Sequence, residues 1–114
     1  MKRYNEKETL LRKLKIIFID DKDCEKARDI LCEYGKEKHE QEPYRVRLAI
    51  LKISENNLES LKQNTMFAKQ DFRDTLVAAE YPDQSKKWSM PDGPKKQKLI
   101  KKDRLQYEEW LNEN

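Results

Sequence analysis

The stretch LESLKQNTMFAKQDFRDTLVAAEY, Leu58 to Tyr81, decides the fold. Its residues Leu58, Leu61, Thr65, Ala68, Phe72, Leu76 and Ala79 step by three or four, the spacing that lines side chains along one side of an α-helix. The seam comes close to heptad spacing. Asn56-Asn57 supplies a cap or tight turn before it. Tyr81-Pro82 ends it, because the residue before a proline is pushed out of the helical region. The spacing predicts one long helix from Leu58 to about Glu80.

Upstream, Tyr44 to Glu55 is the most apolar segment, with Val46, Leu48, Ala49, Ile50, Leu51 and Ile53 covering more than one stripe of a central, buried helix. Alternation at Val46, Leu48 and Ile50 also fits a strand. Length and the lack of neighbouring strands favour the helix, paired with the next one as an antiparallel hairpin. Before it, Asp21 or Asp23 can cap a helix whose apolar face is Cys24, Ala27, Ile30, Leu31 and Tyr34, with Gly35 as a stop. Lys36 to Glu42 is a charged segment, helical or frayed, before Pro43.

Glu6 to Phe18 reads as a first helix with Leu10, Leu11, Leu14, Ile17 and Phe18 on one face. A rival reading makes Lys15 to Ile19 a strand ending at Asp20-Asp21, which resembles the opening of a two-component receiver domain. No further apolar strands follow, so that reading is set aside. Downstream, residues 83–98 read as a basic loop or linker containing Pro91, Gly93 and Pro94. Residues 99–112 read as a C-terminal helix with Ile100, Tyr107, Trp110 and Leu111 inward and Asp103 as a cap. The expected architecture is all-α: a single helical domain over 1–114, with four to five helices in a small bundle.

Composition narrows function by exclusion. Of 114 residues, 41% are charged and 36% hydrophobic, and only 2 are Gly, which disfavours a Gly-rich phosphate loop. No apolar run approaches the ~18–20 residues of a bilayer span and no signal peptide opens the chain, so no membrane partner and a cytoplasmic location are expected. Cys24 and Cys32, eight apart, match neither a redox pair nor half a zinc site, and read as buried core thiols. The net charge of +3 is unevenly spread: residues 84–104 hold eight basic and two acidic side chains, whereas residues 20–43 hold five and nine.

Asp71, Arg73, Asp74 and Glu80 form the densest polar cluster beside the apolar seam. Asp71 and Asp74, three apart on a helix, point to a shared cation or partner, and Arg73 to a bidentate contact with a carboxylate of another helix. The favoured reading is a salt-bridge network orienting helices, with a metal-dependent activity at Asp71, Asp74 and Glu80 as the weaker one. His39 is the single histidine and sits among charges; no nucleophile motif accompanies it, and nothing in the sequence asks for a cofactor. Lys86, Lys87 and Trp88, with Lys95, Lys96, Lys98, Lys101, Lys102 and Arg104, offer phosphate contacts and one stacking side chain.

Arg45 to Lys52 (RVRLAILK), Asp71 to Asp74 (DFRD), Ala79 to Pro82 (AEYP) and Gln106 to Leu111 (QYEEWL) together resemble a family of small uncharacterised bacterial helical proteins. The likeness spans about Leu31 to Leu111, with Phe72 standing where the family usually has Tyr; the first thirty residues do not share it. It implies a helical fold in a bacterial cytoplasm, and no activity. The sequence thus leads to a non-enzymatic helical protein acting through protein–protein contact, as a homo-oligomer or with another protein. A nucleic-acid accessory role for Lys86 to Arg104 is the second reading.

Overall fold

The structure, a computed structural model, describes residues 5–85 and 93–113. Among them are helices α1 (Glu6–Ile17), α2 (Asp21–Leu31), α3 (Pro43–Ser54), α4 (Leu58–Gln70), α5 (Phe72–Glu80) and α7 (Pro94–Asn112), with one four-residue turn of helix, α6 (Pro82–Ser85). No strand occurs among the described residues. The chain is all-α, and residues 15–17 close α1 instead of forming a strand.

Local chemistry accounts for where the helices begin. Asn5, Asp20 and Asn57 each accept a hydrogen bond from a backbone N–H of the following first turn, at 2.9–3.2 Å. The cap of α2 is therefore Asp20, not Asp21 or Asp23, which lie inside the first turn. Pro43 opens α3 and Pro94 opens α7, positions where the missing N–H costs nothing.

The long helix expected over 58–80 is broken. Asp71 leaves helical geometry (φ −150°, ψ 85°), ending α4 while its carboxylate accepts the N–H of Asp74 and starts α5. The seam itself survives: Leu61, Thr65, Ala68, Leu76 and Ala79 are buried and Phe72 is half-buried. The bend lets α3 pack along both α4 and α5.

The centre of the core is α3, whose Val46, Leu48, Ala49, Ile50 and Leu51 are fully buried. Around it pack Leu10 and Leu14 of α1, Ala27 and Leu31 of α2, Tyr34, Leu61 of α4 and Leu76 of α5, with Tyr107 and Leu111 of α7. Burying each large aliphatic side chain stabilises by about 1.5–3 kcal/mol. Two cysteine expectations are corrected: Cys24 is half-buried against the core, and Cys32, just past the end of α2, is exposed.

The C-terminal helix begins at Pro94, five residues before the expected Leu99, so residues 94–98 are helical and not part of a linker. Asp103 is consequently not a cap. It lies in mid-helix, 1% exposed, and its Oδ1 accepts the Asp83 N–H at 3.0 Å at the start of α6. Gln106 donates to the Ala79 carbonyl at 3.1 Å, fastening α7 to the end of α5.

Candidate functional site

Four charged side chains are buried among the described residues: Lys13, Glu40, Glu80 and Asp103. Burying a charge is costly unless it is paired and hydrogen-bonded, so their partners show what each does.

Glu40 organises the segment between α2 and α3. Its Oε1 accepts the successive N–H groups of Gly35, Lys36 and Glu37 at 2.8, 3.1 and 3.3 Å. Its Oε2 meets Lys69 Nζ of α4 at 2.9 Å, and that amine also donates to the Glu33 carbonyl at 2.8 Å. Burial alone would raise the carboxyl's pKa; the Lys69 hydrogen bond and the N–H groups of Gly35 and Glu37 outweigh it and hold it at about 2. Arg47 of α3 closes the same knot by donating to the Leu31 and Tyr34 carbonyls at 2.7–3.1 Å, satisfying the C-terminal end of α2. Gly35, at φ +105°, is required here: a Cβ would come within 2.9 Å of both Arg47 Nη2 and Pro43 Cβ. Tyr34, fully buried, donates its hydroxyl to the Gln41 carbonyl at 2.9 Å, and burial followed by the nearby Glu40 charge pushes its pKa up to about 12. His39 projects outward, its Nε2 3.9 Å from Glu40 Oε2.

Glu80 closes the end of α5 onto the start of α3. Arg45 grips it with two hydrogen bonds, Nε to Oε2 at 2.9 Å and Nη2 to Oε1 at 2.7 Å, and these bonds raise the guanidinium's pKa. At the opposite end, α1 supplies cations to the C-terminus of α7, where the helix dipole is negative. Arg12 donates to the Leu111 and Glu113 carbonyls, and Lys13 Nζ to the Trp110 carbonyl at 2.7 Å. The Lys13 amine also lies 4.5 Å from the Trp110 ring centroid. Desolvation lowers the Lys13 pKa, the Glu113 charge opposing it. Lys52 of α3 is likewise lowered by burial, against the raising effect of Asp103.

The residues singled out from the sequence are dispersed by this arrangement. Asp71, Arg73 and Asp74 are exposed around the first turn of α5, and Arg73 lies over the Phe72 ring at 5.9 Å. Glu80 sits at the other end of α5, nine residues and therefore ~13 Å further along it. The carboxylate grip foreseen for Arg73 belongs to Arg45. Among the described residues, no three His, Cys, Asp or Glu side chains are grouped to hold a metal ion.

Lys86, Lys87 and Trp88 lie outside the described residues. On α7, Lys95, Lys98 and Lys101 are exposed and have no acidic partner among the described residues, whereas Lys102 pairs with Asp83 at 3.1 Å. Lys96 is half-buried on the side of the helix that also carries Asp103 and Tyr107. Arg104, also exposed, lines a groove of about 300 Å³ with Glu80, Tyr81, Ile100 and Tyr107. Of the basic residues near the N-terminus, Arg12 and Lys13 are committed at the C-terminal end of α7, about 20 Å along the axis from Lys98.

Sequence reasoning missed Glu40, Arg47, Lys69 and Lys13. Lys36 to Glu42, expected to be helical or frayed, is neither: it forms turns held by Glu40, and its bracketing by Gly35 and Pro43 was the one signal in the sequence for that. No protein-family model matches the chain, and no curated protein or solved structure compared with it matches either. Among the described residues, no helix is long and apolar enough to cross a membrane.

Proposed function

We propose that this protein works by protein–protein contact, as a homo-oligomer of a small helical bundle built on the α3–α4 hairpin, and not as a catalyst. One observation carries the reading. Lys13, Glu40, Glu80 and Asp103, the buried charged groups among the described residues, are each committed to a bond that joins one element to another. They act as ties between helices, and what the molecule offers to others is its outer faces. The same reading takes the chain as cytoplasmic and as kin to the small bacterial proteins it resembles. Static light scattering across the micromolar range tests it: a mass rising above that of one chain supports the oligomer, and the mass of one chain throughout overturns it.

A second reading has its own observation. Lys95, Lys98 and Lys101 form an exposed basic strip on α7 without acidic partners among the described residues, suited to loose contact with phosphates. Separation of this strip from Arg12 and Lys13 limits the number of phosphates it can reach. Nucleic-acid titration at two salt concentrations distinguishes it from the first reading.

A further inference from the structure

Four lysines among the described residues are less than fully exposed: Lys13, Lys52, Lys69 and Lys96. Lys13 donates to the Trp110 carbonyl, Lys69 meets Glu40 and the Glu33 carbonyl, and Lys96 is engaged as well. Lys52, half-buried in the last turn of α3, makes no hydrogen bond or ion pair among the described residues. The position suits a cation, since the helix dipole is negative there, yet no described carbonyl accepts from the amine. The Asp103 charge acts on it without a bond, and burial outweighs that charge and lowers the Lys52 pKa. An ammonium drawn out of water and left without an acceptor is costly, so what surrounds it decides what completes it.

Lys52 lines a groove of about 780 Å³ where the ends of α1, α3 and α7 meet. Its walls include Ile16, Ile17 and Trp110, each half-buried, and Ile19, which is 86% exposed, so apolar surface lies uncovered beside the amine. Of the other charged groups at the groove, Lys13 and Glu113 lie 3.9 Å apart, and Glu55, three residues after Lys52, is exposed and makes no bond of its own.

We infer that this groove binds a small monocarboxylate with an apolar body, an aryl or branched-chain acid, its carboxylate taking the Lys52 ammonium and its body lying against Ile17, Ile19 and Trp110. Charge decides the class. A carboxylate supplies the acceptor that Lys52 lacks, in a charge-assisted hydrogen bond that the apolar surroundings strengthen. A second negative charge, as on a phosphate ester, is repelled by Glu55 and Glu113 at the same groove. An uncharged ligand leaves the ammonium as costly as before. The volume falls within the ~300–1,000 Å³ common to small-molecule sites. The site is independent of the contact reading above, which neither supplies it nor needs it.

Titration of the isotope-labelled protein with phenylacetate, followed by amide NMR at constant ionic strength, tests the proposal. An acid of about ten heavy atoms is expected to bind in roughly the millimolar range. Its saturable shifts should be largest over residues 16–19, 51–56 and 110–113. Phenylacetamide, of the same shape without the charge, and phenyl phosphate, with more charge, should each bind about fivefold or more weakly. Lys52→Gln should bring phenylacetate down to the level of the amide, whereas Lys62→Gln, at an exposed site on α4, should leave it unchanged. The amide comparison is made on the wild-type protein and does not depend on how Lys52→Gln folds. No saturable shift up to about 20 mM, equal binding of acid and amide, or full binding by Lys52→Gln overturns the site. Tighter binding of phenyl phosphate overturns the monocarboxylate class.

Discussion

Replacing Glu40 by Gln keeps the size of the side chain and removes its charge, which makes it a sharp probe of the knot between α2 and α3. In the native protein the carboxyl is held at about 2, against an ordinary 4.5. That gap corresponds to roughly 3 kcal/mol at most, and solvent access to Lys69, 28% exposed, brings the expected contribution nearer about 2 kcal/mol. Because the folded-state pKa lies below the unfolded one, the contribution is complete above about pH 4.5 and is lost as the pH falls towards 2. Urea denaturation of wild type and Glu40→Gln should therefore differ by about 2 kcal/mol at neutral pH, roughly 8–10 °C in Tm, with the two proteins converging near pH 2. A penalty that is the same at both pH values would show that only shape matters at this position. No penalty at neutral pH would refute the role assigned to the carboxylate.

Three further outcomes follow from the same contacts. Gly35→Ala should destabilise by about 1–3 kcal/mol in thermal melts, since the added Cβ meets Arg47 and Pro43 at a positive φ. Arg45→Met should cost about 2 kcal/mol by stranding Glu80, and the double variant Arg45→Met/Glu80→Leu should cost less than the single one in the same urea assay. In fluorescence anisotropy at about 50 and 200 mM salt, single- and double-stranded nucleic acid should show no micromolar binding; binding with a steep salt slope, lost on changing Lys95, Lys98 and Lys101 to Gln, would favour the phosphate reading instead.

The helices were largely legible because their apolar faces are periodic: α1, α2 and α3 lie within a few residues of where the spacing puts them. The break at Asp71 was not, although the residue type carried the signal. An Asp with another Asp three residues on fits the start of a helix, but the unbroken seam through Phe72 and Leu76 masks the change of direction. The early start of α7 was obscured by Pro91, Gly93 and Pro94, of which Pro94 turned out to open the helix. Long-range ties were least legible. Glu40 stands among Glu33, Glu37 and Glu42, and only the approach of Lys69 from a helix far along the chain sets it apart. Glu80 ties one helix to another, but its partner, 35 residues away, was not identifiable from spacing.

Hydrogen–deuterium exchange of the native protein, compared at low and high protein concentration, tests the central claim that the molecule acts through an outer helical face. Added protection at high concentration, confined to the peptides of one outer helical face, is the predicted result. Exchange independent of concentration would contradict it.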